Sequence, residues 1–134
     1  MTGPFKTLED AVRAGFKAII AEHNKQAYEE FGFWVAMKPN EHDKGVHFCY
    51  TDIEGSGGGG FVELTRPTGL IVVAHCHTHP HSTSTGDFSP RDKRNFLQMN
   101  DNMHKMPCYL LNPQSQIRLG KVAKDFPAGV PVSW

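Results

Sequence analysis

Apolar residues recur at three- and four-residue intervals from Leu8 through Val12, Phe16, Ile19, Ile20 and Ala27, the period of a helix with one buried stripe. Thr7-Leu-Glu-Asp10 precedes the run in the form of a capping box. The helix should therefore start there and end near Glu29 to Phe31, where Gly32 breaks the pattern. Phe33 to Met37 then reads as a strand, Asn40 to Gly45 as a polar turn, and Val46 to Thr51 as a second strand pairing back on the first. Glu54 to Gly60 carries five glycines and predicts a flexible surface loop; without a Walker lysine or a following helix it makes no phosphate cradle. Phe61 to Leu64 and Leu70 to Thr78 are expected strands, the second apolar enough to be central.

Ser89-Pro90-Arg91-Asp92 has the residues that open a helix: serine at the N-cap, proline at the first position and an acid at the third. Met106 to Leu111 and Gln116 to Val122 predict a hairpin around Asn112-Pro113, and Asp125 to Trp134 an irregular tail. This order implies an α+β sandwich, a mixed β-sheet with flanking helices.

The 134 residues, 39% of them hydrophobic, suit one domain with one core, expected over about residues 7–122. Fourteen basic residues balance fourteen acidic ones, which disfavours nucleic acid or an anionic membrane as the main partner. No signal peptide or membrane-length apolar run is visible. Cys49, Cys76 and Cys108 are an odd number set in apolar runs, so buried free thiols in a reducing compartment are expected.

Chemistry concentrates between Leu70 and Asp92. Alternate residues of a strand face one way, so His77 and His79 present two imidazoles to one point, and Asp92 adds an oxygen donor from the next helix. Three protein ligands leave the fourth tetrahedral position of a zinc ion open, the catalytic arrangement. Asp87 is the competing oxygen donor. Asp92 also has a purely structural role available, completing the cap of its helix. His75 is expected as a packed or supporting residue, His81 is placed beyond the break made by Pro80, and Cys76 faces the core. Two other metal folds are disfavoured. Only 53 residues follow His81, too few for a barrel phosphoesterase, and no glutamate follows the histidine pair as a cupin requires.

The pattern Glu … His-x-His-Pro … Ser-x-x-Asp resembles that of the JAMM (MPN-plus) metalloproteases, which cut peptide or isopeptide bonds with a single zinc ion. Glu30-Phe-Gly32, Phe88-Ser-Pro-x-Asp92 and Tyr109-Leu-Leu-Asn-Pro113 are further similar to a bacterial JAMM-like branch often found at the C-termini of polymorphic (Rhs-type) toxins. The likeness spans roughly Thr7 to Gly120. It implies a JAMM/cytidine-deaminase-like sandwich, zinc held by His77, His79 and Asp92, Glu30 as general base with Glu29 the alternative, and Ser89 as the oxyanion donor. Nine residues separate His79 from Ser89, two more than in the better-known members, so the lip beside the metal is expected to differ from that of ubiquitin-cleaving members.

The resemblance also implies a protein or peptide substrate, and for a toxin domain a cognate immunity protein. Its location would be the cytoplasm, or a target cell reached as part of a larger toxin. Two rival functions stand beside hydrolysis of an amide bond: a catalytically silent JAMM fold acting as a binding or scaffolding module, and attack on a non-protein substrate.

Overall fold

The computed structural model describes residues 1–23, 29–39, 47–58, 61–80, 86–100 and 106–134. Ala27, the expected turn over 40–45, the start of the second expected strand at Val46, the last two glycines of the glycine-rich stretch and His81 lie outside them.

Thr2–Phe5 forms strand β1 and Leu8–His23 helix α1. Thr7 caps α1: its Oγ1 accepts the Asp10 N–H at 3.0 Å, satisfying one of the helix's unpaired first-turn donors. Phe31–Met37 is β2, Phe48–Tyr50 β3, Glu54–Gly55 β4 and Ile71–Thr78 β5. Helix α2 covers Pro90–Met99, followed by β6 (Cys108–Leu111), β7 (Ile117–Gly120), a short 3₁₀ turn at Ala123–Asp125 and β8 (Val130–Val132). The fold is thus mixed α+β, with a mixed sheet and two helices among the described residues.

The sheet runs β1-β3-β2-β5-β6-β7-β8, with β4 also paired to β2. Among the described residues only β5 and β6 pair in parallel. A parallel pair needs a crossover between its strands, and α2 lies in that connection. β5 sits between β2 and β6, as its apolar run predicts. Its first residue, Ile71, is nevertheless 46% exposed, because β6 reaches only His75 to Thr78.

Three expectations change and one strand is added. Glu54 and Gly55 pair with Gly32 and Phe31 instead of forming a free loop. Phe61 to Leu64 joins no ladder, although Val62 and Leu64 lie over Gly32. The tail expected to be irregular supplies β8, paired to β7 through Val130, Pro131 and Val132. At the other end Thr2 to Phe5 pairs with β3, an element that a four-residue segment holding Gly3 and Pro4 does not announce.

The two sheet faces are filled differently. Against α1 lie Phe31, Phe33, Val35, Ala74, Cys76, Tyr109, Leu111 and Ile117, packed on Ala11, Val12, Phe16 and Ile19. Phe16 and Phe33 meet edge to face, ring centroids 5.3 Å apart. Gly15 sits mid-helix where a side chain would overlap the Phe33 ring. Its helix-weakening glycine, which costs about 1 kcal/mol against alanine, is offset by that close approach, since a buried phenylalanine contributes about 1.5–3 kcal/mol. Phe88, Phe96, Cys108, Leu110 and Phe126 form a second, smaller cluster under α2. All three cysteines are buried and unbridged.

Candidate metal centre

Strand alternation sorts β5. Ala74 and Cys76 point into the α1 core, whereas His75 and His77 point toward α2. His79 follows one residue past the strand and continues the alternation, held by its N–H donating to the Leu111 carbonyl at 3.1 Å. The rings of His77 and His79 are 5.2 Å apart, centroid to centroid. Because β5 is flanked on both sides here, the histidines are not exposed positions on an edge: His77 is 4% and His79 8% exposed.

Asp92 arrives from the first turn of α2. Ser89 is the N-cap: its Oγ accepts the Asp92 N–H at 3.1 Å, and its own N–H donates to Asp92 Oδ2 at 2.7 Å. This reciprocal cap leaves little freedom for the carboxylate. Its two oxygens face one imidazole each, Oδ1 at 3.1 Å from His77 Nε2 and Oδ2 at 2.9 Å from His79 Nε2. The cap foreseen for Asp92 is therefore present, and it leaves both carboxylate oxygens facing the histidines.

The donor set fits a metal ion. Donor atoms of His77, His79 and Asp92 all lie within 4.8 Å of one another. His77 Nε2, although close to Asp92, makes no well-directed hydrogen bond and is buried. His79 Nε2, by contrast, is hydrogen-bonded to Asp92 Oδ2 at 2.9 Å, so one imidazole nitrogen of the group is left over beside the shared carboxylate. Two imidazole nitrogens and a carboxylate oxygen suit a borderline divalent ion. Exposed Asp87 is outside the group, and His75 is too. His75 lies edge-on to Trp34 at 5.1 Å and 5.5 Å from the His77 ring, and burial pushes its pKa down to about 3, keeping it neutral.

Electrostatics follow from that crowding. Burial opposes charge on both His77 and Asp92, yet their mutual attraction prevails: His77 is raised, with Glu30 adding to the pull, and Asp92 is held well below the usual carboxylate range.

Glu29 and Glu30 separate by the same alternation. Glu30 precedes β2 on the side of Gly32 and Trp34, the histidine side; it is 8% exposed, and its carboxyl senses His77, His79 and Asp92. Burial pushes its pKa up, while His77, the Val62 N–H and His79 pull it down. Glu29 turns the other way, accepting the Gly57 N–H at 2.8 Å. The structure thus brings Glu30, and not Glu29, beside the three candidate ligands.

Several contacts that position Glu30 had no signal in the reading of the chain. Ser56 Oγ accepts the Glu30 N–H at 3.1 Å, and the Ser56 N–H donates to the Glu30 carbonyl at 2.9 Å. Thr78 Oγ1 accepts the Phe31 N–H at 3.1 Å, and the Val62 N–H reaches Glu30 Oε1 at 3.4 Å. The glycine-rich stretch, read as a loose loop, thereby anchors the glutamate. Gly32 stands opposite His77, and a side chain there would strike the Cys76 carbonyl, with Leu64 and Val62 close behind. That gives the Glu-x-Gly step a steric meaning. Among the described residues no helix is long and apolar enough to cross a membrane. No protein-family model, curated protein or solved structure matches this chain.

Proposed function

We propose that this chain is a zinc-dependent hydrolase of the JAMM type that cleaves a peptide or isopeptide bond. One observation carries the reading: a buried carboxylate with a raised pKa stands on the same sheet face as two histidines and an aspartate whose donor atoms converge. Such a set is costly to bury without a ligand and is what water activation requires.

His77, His79 and Asp92 would hold the ion. Zinc, when bound, supplies a Lewis acid that polarises a carbonyl and lowers the pKa of water toward neutrality. Glu30 takes a proton from the attacking water and returns it to the leaving amine. Its raised pKa brings it nearer the operating pH, where one group serves best as both base and acid. The Ser89 hydroxyl accepts the Asp92 N–H through its oxygen and keeps its own hydrogen for an oxyanion. Val62 and Ser56 hold the Glu30 backbone and carboxylate in place.

On this reading the substrate is a protein or peptide. Delivery as part of a larger toxin, with an immunity protein as partner, belongs to the same proposal. The test is expression of the intact chain and Glu30→Gln in bacterial and eukaryotic cells, followed by mapping of newly exposed protein N-termini. New termini should appear with the parent and fall by about 10²–10⁴-fold with Glu30→Gln, while the metal content of both stays equal. Identical profiles, or none in either host, would replace the hydrolase with a binding module.

A further inference from the structure

We infer that the groove bordered by Trp34, Val62, Leu64, Arg91, Asn95 and Gln98 is a substrate subsite that takes a carboxylate, with Arg91 as the residue that recognises it. The inference rests on the hydrolase reading above and specifies which polypeptides that hydrolase prefers.

The groove is open to solvent and offers a volume of about 240 Å³. It adjoins the candidate centre on three sides. Arg91 is the chain neighbour of Asp92. The Val62 N–H on the opposite wall donates to Glu30 at 3.4 Å, and His75 lies between Trp34 and His77. A group in the groove would therefore lie beside the reacting bond without displacing a ligand. Arg91, Asn95 and Gln98 are spaced by four and three residues, which places them in one stripe of α2. That stripe is polar, and it faces the extended segment 61–64.

Arg91 has unused donor capacity. Its guanidinium lies over the Phe61 ring, Cζ 3.9 Å from the centroid, so the ring covers one face and leaves the in-plane N–H groups for a partner. Its Nε is buried and has no hydrogen-bond partner among the described residues. Among the described residues its one ion pair is with Glu63, also on the groove, whose Oε1 is 4.0 Å away and whose side chain is 89% exposed. A contact that long and that wet holds the guanidinium weakly. Charge favours an acidic occupant in two further ways. Lys93 and Arg94 follow on α2, while its one acid, Asp92, is engaged by the histidines. Arg66 lies over the ring of Trp34, which borders the groove, its Cζ 5.2 Å from the centroid. A planar, bidentate carboxylate is the partner this fork matches.

The carboxylate has two sources, an Asp or Glu side chain or the C-terminus of the bound chain, and binding without turnover distinguishes them. The full-length Glu30→Gln protein, loaded with zinc, is used to select from two synthetic libraries of short random peptides, one amidated and one with free C-termini. Enrichment of Asp or Glu at one fixed position of the amidated library indicates a side chain. Preference for the free-acid library indicates a terminus. In either case adding Arg91→Ala should reduce the enrichment about tenfold, the loss of a charge-assisted pair, and Arg91→Glu should replace acidic with basic residues. Arg91→Gln, close in shape, decides the question if the alanine variant fails to fold. Absence of any carboxylate preference, or the same preference after Arg91 is changed, overturns the subsite. The hydrolase is judged separately, by the cleavage comparison above.

Discussion

The two faces of one strand carry opposite solutions to burial. On the α1 face, Ala74 and Cys76 join Phe16, Phe33 and Val35 in an apolar core, where burial pushes up both the Cys76 thiol and the Tyr109 hydroxyl. On the α2 face, His75 and His77 sit at the same depth in the sheet, with His79 and Asp92 beside them. Apolar burial lowers the free energy of the first face by removing surface from water. The second face buries a smaller apolar cluster under α2 and keeps charged and polar groups dry beside it. The larger apolar core and the candidate metal ligands therefore lie on opposite faces of a single sheet, and changes on one side should leave the other largely intact.

The sharpest test of that division is to remove a ligand. His77→Ala or His79→Ala should abolish stoichiometric metal binding and any activity that depends on it, because two ligands hold an ion poorly, yet leave the circular dichroism of the fold unchanged. Full metal content in the double variant would rule out the centre. The converse change is Phe33→Ala. It should cost about 3–5 kcal/mol of unfolding free energy while the folded fraction still binds one equivalent of metal. If metal affinity falls with it, the faces are coupled and the comparison breaks.

Ser89→Ala touches both accounts at once. Losing the N-cap costs about 1 kcal/mol, and losing the hydroxyl donor should lower turnover by about 10²-fold. Ser89→Asp separates them, because aspartate caps as well as serine but offers no hydrogen. Stability restored without turnover would assign the hydroxyl its chemical role; both restored together would make it a cap only.

The smallest effect concerns pH. In metal-free protein the raised Glu30 pKa means that folding favours its protonated form. That contribution to stability is present below the unfolded pKa near 4.5 and is lost as pH rises through the folded value. Glu30→Gln should therefore be more stable than its parent at neutral pH and converge with it in acid, as read by thermal unfolding with chelator present. His77 is shifted upward as well, so a proton competes with the metal there; affinity measured by titration should rise with pH through the neutral range. Flat profiles would mean that neither group is buried as described.

Much of this was legible in the chain, and the reason is local. Helix α1, the central β5, the cap of α2 and the β6–β7 hairpin follow from periodicity and capping residues, which act over a few positions. His77 and His79 belong to one face by alternation alone, and Asp92 by its place in a capped first turn. What only the tertiary structure decided depends on partners far away in sequence. β1, β4 and β8 are weak segments that become strands because a neighbour offers an open edge. Glu29 and Glu30 are equivalent as residues. They separate only when β2 pairs with β5 and turns one toward the histidines and the other toward Gly57. Arg91 likewise reads as an ordinary solvated cation until packing lays Phe61 against its face beside a groove that it helps to line.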